Sequence, residues 1–279
     1  MIKLGIIGYR NHAQRLIDFS EENSNCKLEI IYHPKKKIED ERGTNIFSDL
    51  FTCDGVIISS PNHTHLEYIV KLLNSSKAKI FCEKPPVNNE KDLKILENLS
   101  NEDKQRIFFN FNFRFSDLNA QIEKYKNSSE LGKIIQINMM FTHGLSFKKE
   151  YENSWRADGK NNLHNILDTL AIHYIDLMNF HFGKIKCSIY LPYLNSKMGT
   201  SFDTAQITLE YNNGIIVNIL TSLFNFSPYY SGSFATFSFN ILRFCASYAT
   251  FSFNVLLIID LVLLGSISLS LQYSKIASI

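Results

Sequence analysis

The sequence predicts an α/β domain on a parallel, doubly wound sheet, followed by an α+β domain whose sheet is mostly antiparallel. Three observations support this. Asp54 to Pro86 reads strand, helix, strand: the apolar runs Val56-Ile57-Ile58 and Ile80-Phe81-Cys82 flank a helically spaced stretch. The chain opens on a similar apolar run that ends in a glycine-containing turn. Beyond Lys133 the pattern changes to longer strands, two of them joined by a hairpin turn.

Lys3–Ile7 forms the first strand, and Gly8-Tyr9-Arg10-Asn11-His12-Ala13 leads into a helix through Leu16 and Ile17. This is the place of a dinucleotide fingerprint, G-x-G-x-x-G/A, where backbone approaches a pyrophosphate at a helix amino end. Gly8 fits the tight turn and Ala13 the close helix–strand contact, but Arg10 stands where the second glycine belongs. Its guanidinium either crowds the pyrophosphate or reaches round to pair with it. The second strand, Lys27–Tyr32, runs into His33-Pro34-Lys35-Lys36-Lys37. An acidic side chain near that tip would hold the ribose hydroxyls of NAD, and none is present. The cationic tip suits a 2′-phosphate, so NADP is expected over NAD. A solvated loop of lysines is the plainer alternative.

The third strand, Val56–Ile58, is followed by Ser59-Ser60-Pro61-Asn62-His63-Thr64-His65. A helix then buries Leu66, Ile69, Val70, Leu72 and Leu73 on one face. Asn62 or Thr64 is expected to supply its cap oxygen, with a histidine of this turn lining the nicotinamide end of a cleft as the alternative. The histidine spacing is not that of a metal site, so no metal is expected. The next strand ends in Glu83-Lys84-Pro85-Pro86 at the sheet edge where doubly wound folds bind ligands. A lysine held there by a proline is a candidate acid/base group. The competing reading is a solvated Glu-Lys pair closing a strand.

A helix near 89–99 and a strand, Arg106–Asn110, complete the first half, and Asn112-Phe113-Arg114-Phe115-Ser116 leads into a further helix. Strands follow at Ile134–Phe141, Ile185–Leu191, Thr204–Tyr211 and Ile215–Leu220, with Asn212-Asn213-Gly214 turning between the last two. One helix, Leu163–Phe180, interrupts them. Two domains with a cleft between them are expected.

GIIGYRNHA, VIISSPNHTH, FCEKP, NFRFS, ELGKI, Trp155-Arg156 and LDTLAIHYIDL follow one another in the chain. In that order they resemble the landmarks of the Gfo/Idh/MocA oxidoreductases, which include glucose–fructose oxidoreductase and inositol dehydrogenases. The resemblance implies a Rossmann domain at 1–115 and a substrate-carrying sheet domain at 116–226. It also implies NAD(P)-dependent chemistry at a sugar, nucleotide-sugar or polyol hydroxyl or ketone. Lys84 then carries over as the proton-handling lysine and His173 as the histidine facing the reacting hydroxyl, with Asp176 at the following acidic position. Arg114, Trp155, Arg156 and Asp176 would shape the substrate side. The cofactor side would be Gly8, Tyr9, Arg10, Asn11, His12, Ala13, His33, Lys35, Ser60, Pro61, Asn62, His65, Glu83 and Lys84.

The sequence departs from that pattern in the helix and in the tail. The family places an aspartate four residues before the histidine; Thr169 stands there, and Asp168 lies five before. On a regular helix, residues four apart differ by about 40° and residues five apart by about 140°. Asn165, Thr169, His173 and Asp176 would then share a stripe, and Asp168 would point elsewhere unless the helix is locally bulged. Thr169 and Asp168 are therefore both carried as catalytic candidates, and a hydrogen-bonded core role for His173 stays open. From Ser227 onward only Arg243, Asp260 and Lys275 are charged, and FATFSFN at 234–240 recurs as YATFSFN at 248–254. No further family strand is recognised there, so the second domain is expected to be truncated or altered, with 227–279 an atypical apolar tail. Either the reading frame was disrupted near 227, or the apolar stretch 253–271 anchors the chain in a membrane, against the cost of Asp260.

Composition narrows the function classes. A net charge of +2 gives no electrostatic case for nucleic acid. The five cysteines are scattered without a C-x-x-C pair and read as reduced side chains. The amino terminus enters a strand directly, so a cytoplasmic protein without a cleaved signal is expected. The partners expected are a small sugar substrate and, from the family's sheet packing, another copy of the chain. The rival reading is a non-catalytic dinucleotide- or sugar-binding protein of the same fold.

Overall fold

The computed structural model describes residues 1–128, 132–223, 233–243 and 251–259. They divide into two compact units, Met1–Phe111 and the described residues from Asn112 onward. Asn112–Phe115, expected with the first domain, belongs to the second unit, for a reason that lies in its contacts with the helix Ile172–Phe182.

The first unit runs β1 (Ile2–Ile7), α1 (Asn11–Glu22), β2 (Cys26–Tyr32), β3 (Gly43–Thr44), β4 (Gly55–Ile58), α2 (His65–Ser75), β5 (Lys79–Cys82), α3 (Glu90–Glu97), the single turn α4 (Asn101–Lys104) and β6 (Ile107–Phe109). All its strands are parallel, in the order β3-β2-β1-β4-β5-β6. Alternate side chains go to opposite faces of a strand. Ile6 and Ile31 thus pack with Ala13, Leu16 and Ile17 of α1, while Ile7 and Tyr32 pack with Ile69 and Leu72 of α2. A sheet covered on both faces needs strands without polar alternation, as the apolar runs indicate. The strand order reverses between β1 and β4, so the turns after those strands flank the switch point where such folds bind ligands.

The second unit contains α5 (Asp117–Lys126), β7 (Lys133–His143), the short α6 (Lys149–Glu152) and α7 (Gly159–Asn162), α8 (Ile172–Phe182), β8 (Ile185–Tyr193), β9 (Thr204–Tyr211), β10 (Ile216–Ser222), β11 (Ser233–Arg243) and β12 (Phe251–Ile259). Its sheet order is β12-β11-β7-β10-β9-β8, antiparallel except for the β7–β10 pair. The expected hairpin joins β9 and β10, with Gly214 at φ +83° in a conformation that side chains disfavour. One face carries the core: Ile137, Met139, Ile207, Leu209, Val217 and Ile219 pack with Ile122 of α5 and with Tyr174, Leu177 and Met178 of α8.

One expectation about the tail is corrected. Strands were not recognised beyond residue 226, yet β11 pairs along β7 and β12 along β11. The FSFN segments of the echo fall on neighbouring antiparallel strands, with Asn240 opposite Asn254. Within the candidate membrane stretch, residues 253–259 lie in strand β12, and 260–271 lie outside the described residues. Among the described residues, no helix is long and apolar enough to cross a membrane. Glu130 and Leu131 of ELGKI and residues 248–250 of the echo also lie outside the described residues.

Candidate functional site

In the first unit the turn after β1 has the form a pyrophosphate needs. Gly8 sits at φ +116°, and a Cβ built on it would fall 2.5 Å from the Ser59 carbonyl oxygen, so only glycine fits. Arg10, in the second glycine's place, is extended (φ −108°, ψ 177°), a conformation any residue adopts, and its side chain is exposed. It therefore costs no backbone strain. Among the described side chains the N-cap Arg10 makes no cap bond to α1, which leaves first-turn amides for an anion. Ala13 is buried against the sheet as a small residue must be. These features fit a dinucleotide.

The β5 edge is tied to this loop through Glu83. Its Oε1 lies 2.8 Å from His12 Nε2 and accepts a 2.6 Å hydrogen bond from Asn110 Nδ2, at the end of β6. Burial alone would push the Glu83 carboxyl up. The bonds from His12 and Asn110 and the charge of Lys84 hold it below its ordinary value, so it stays ionised. Lys84 follows at the carboxyl end of β5, half-buried, and the Lys84–Pro85 peptide is cis. His65, at the start of α2, is fully buried; its Nδ1 lies 2.8 Å from the Pro85 carbonyl and its Nε2 3.0 Å from that of Ser60. Burial pushes its pKa down, against the pull of those two carbonyls.

At the β2 tip, His33 Nδ1 accepts from the Lys35 and Lys36 amides at 3.2 and 2.7 Å. Lys36 Nζ lies 5.6 Å over the Tyr9 ring. Burial first, then the charges of Lys36 and Arg10, push the His33 pKa down, which places the fingerprint loop and the lysine tip in one cationic neighbourhood.

In the second unit the helix carrying His173 is not regular. Leu167–Ala171 is π-helical, and the Ile172 amide reaches back five residues to the Leu167 carbonyl. A turn of i to i+5 spacing brings residues five apart into line, so the extra residue before His173 is absorbed. The backbone thereby brings Asp168 closer in line with His173 than a regular helix would. Thr169 Oγ1 donates to the Asn165 carbonyl at 2.6 Å. Asp168 is near enough to the Tyr190 hydroxyl to add to the effect of burial, which pushes that group up to about 12. Tyr190 in turn lies 3.0 Å from His164 Nδ1.

Helix α8 is pinned along its length. Phe113 stacks on the His173 imidazole with ring centroids 4.7 Å apart and planes 19° apart. Arg114 Nε and Nη2 donate to the two Asp176 oxygens at 2.7 and 2.6 Å. Tyr211 Oη donates to Asn179 Oδ1 at 2.8 Å, and His181 Nε2 lies 2.8 Å from Asn119 Oδ1. These two contacts of Phe113 and Arg114 are why Asn112–Phe115 belongs with the second unit.

Two family models match the chain. Residues 2–111 match the oxidoreductase family's NAD-binding Rossmann fold, and residues 120–242 match the GFO/IDH/MocA C-terminal domain. The chain belongs to the Gfo/Idh/MocA oxidoreductase family. The second match runs past residue 226, where the family pattern was expected to stop, and takes in most of β11. Among curated relatives is the glucose-6-phosphate 3-dehydrogenase of Bacillus subtilis, 24% identical over 80% of this chain and 68% of that protein. Among solved structures, an oxidoreductase from Agrobacterium radiobacter, in complex with NAD+, L-tartaric acid and magnesium, superposes with a TM-score of 0.71. It is 17% identical over 87% of this chain and 74% of that one. A myo-inositol dehydrogenase from Corynebacterium glutamicum gives a TM-score of 0.67 at 17% identity, over 91% of this chain and 75% of that one.

Several residues expected at the family's sites have other work. His65 has no exposed surface and both ring nitrogens face carbonyls, so it ties the Ser60 turn to Pro85. Thr64 does not cap α2; its hydroxyl bonds the Pro61 carbonyl and Ser60 Oγ, and Asn62 opens a separate 3-10 turn. Pro61 is exposed. His12 is turned to Glu83, and His33 organises the lysine loop. Arg114 and Asp176, expected on the substrate side, occupy each other as a bidentate pair. Asn11 opens α1, and its side chain lies outside the described residues. Arg156 lies over the Trp155 ring at 4.5 Å. Asn110 and Phe113 were missed. A polar residue closing an apolar strand run pointed to the first, and NFRF itself contained the second.

Proposed function

We propose that the chain is an NAD(P)-dependent oxidoreductase acting on a hydroxyl or ketone of a sugar, nucleotide sugar or polyol. The observation that carries the reading is the Glu83 hub, which joins the fingerprint loop through His12 to the motif bearing Lys84. A carboxylate anchored on both sides fixes the backbone from which the lysine projects, and positioned groups are what proton transfer needs. The bound nicotinamide would supply the hydride acceptor or donor. Gly8, the open α1 amides and Ala13 would hold its pyrophosphate. Arg10, Lys35 and Lys36 favour a 2′-phosphate, hence NADP over NAD. Lys84 and His173 would take the hydroxyl proton as hydride leaves, or return it in the reverse direction. Asp168, in register with His173 across the π turn, would orient the imidazole and favour its charged form. The glucose-6-phosphate 3-dehydrogenase relative supports a sugar as substrate.

The test follows nicotinamide absorbance with a panel of sugars and polyols, in the wild type and in Lys84→Met. Turnover of at least one sugar, lost in the variant while NADP still binds, is the expected result. Cofactor binding without turnover of any sugar would favour the non-catalytic binder. Equal or tighter binding of NAD than NADP would remove the cofactor preference.

A further inference from the structure

Between the end of β7 and α7 the second unit carries a cation that the fold does not neutralise. Arg156 is partly buried, and its guanidinium makes no hydrogen bond or ion pair among the described residues. An arginine cannot shed its charge when desolvated, so a buried, unpaired guanidinium is costly unless an anion meets it. The nearby acid Asp203 is fully buried and already engaged. Its Oδ1 accepts from the Asn195 amide and Thr204 Oγ1, and its Oδ2 from the Ser196 amide.

The groups around Arg156 are donors rather than acids. His143 at the end of β7 feels the charges of Lys148 and Arg156, and Tyr151 feels that of Arg156. Burial pushes the Tyr151 hydroxyl up to about 12, so it keeps its proton. Tyr151 and Ser146 are each 2% exposed, and their hydroxyl oxygens, with Ser154 Oγ and His143 Nδ1, find no partner among the described residues. Buried polar atoms in folded proteins are normally satisfied, so such a cluster marks a place where water or a ligand completes the bonding. The backbone beneath is fixed: the Ala157 carbonyl accepts from the Thr200 and Ser201 amides at 2.8 and 3.1 Å, and the Trp155 carbonyl accepts from Asn162 Nδ2 at 3.0 Å.

We infer that Arg156, with Lys148, His143 and Tyr151, seats an anionic group of the substrate, a phosphate or a carboxylate, so that the sugar it takes is a charged one. A guanidinium fork matches either oxyanion geometry. The inference deepens the proposed function and rests on it only for the word substrate; the binding itself is read without turnover. Trp155 is the chain's single tryptophan and its ring lies 4.5 Å from the Arg156 guanidinium, so its emission reports on this site alone.

The test titrates glucose, glucose 6-phosphate and glucuronate into the full chain while following tryptophan emission. Saturable changes are expected with glucose 6-phosphate, glucuronate or both, which separates the phosphate from the carboxylate, and half-saturation with glucose at least about tenfold weaker. Arg156→Lys should keep part of the response and Arg156→Gln should lose about tenfold or more in affinity, their unfolding transitions checked against the wild type. Equal half-saturation for glucose and the charged sugars, or no response to either charged sugar, would overturn the inference on the wild type alone. A folded Arg156→Gln that binds as tightly as the wild type would overturn it too. Binding without turnover would leave this site standing and sink the dehydrogenase reading instead.

Discussion

Glu83 shows how a buried charge can be kept where it is useful. Burial alone would push its pKa up; its bonds to His12 and Asn110 and the charge of Lys84 hold it below the ordinary value. The sign of its pH dependence follows. The folded value lies below the ordinary 4.5, so its contribution is fully present above that pH and is lost as pH falls through the folded value. His65, also depressed by burial, acts in the same direction from its ordinary 6.5 downward. Glu83→Gln should unfold more easily than the wild type by about 1–3 kcal/mol at neutral pH, because a buried set of partners is left mismatched. Melting curves over a pH series should show that gap closing in acid. A gap that stays constant from neutral pH to below the carboxylate range would mean that the charge on Glu83 is irrelevant to the fold.

At the scale of the element, the proposed pairing of Asp168 with His173 rests on the π turn at Leu167–Ala171. The turn was foreseen only as an alternative, a local bulge, because an i to i+5 hydrogen bond leaves no mark in composition and counting along a regular helix favours Thr169. Asp168→Asn should lower kcat by about a hundredfold, whereas Thr169→Ala should stay within about threefold. The double variant Asp168→Thr, Thr169→Asp is the sharper case. It restores the family's four-residue spacing in sequence but moves the carboxylate off the His173 face, so it should be as poor as Asp168→Asn. Wild-type kcat in that variant would show that the turn is a regular helix in solution. By contrast, β1, β2, β4, β5, α1 and α2 were legible, because each has an apolar period that its burial enforces. β3, with two residues, is too short to show a period. β11 and β12 carried a usable signal, the alternation F-x-F in both FSFN segments, which the low charge of the tail obscured.

For the whole molecule, the order of landmarks along the chain was enough to indicate the family, and both halves match its models. The individual side-chain roles were less legible, since a motif names positions and not partners. Arg114 and Asp176 each looked like substrate ligands, yet they bind one another, and His65 holds two turns together. In each case a polar group needed a partner inside the protein, and sequence alone does not say which polar groups the fold has already satisfied. The chemistry proposed for this chain rests on Lys84 on the β5 edge and on His173 of α8 with Asp168 of the π turn before it.

The most direct measurement is deuterium transfer. The full chain is incubated with reduced NADP labelled at the nicotinamide C4 and with keto-sugars, and the products are weighed by mass spectrometry, with Lys84→Met alongside. The account predicts a sugar product that has gained one deuterium with the wild type and none with the variant, although both bind the cofactor. Tight cofactor binding with no label in any product would contradict it.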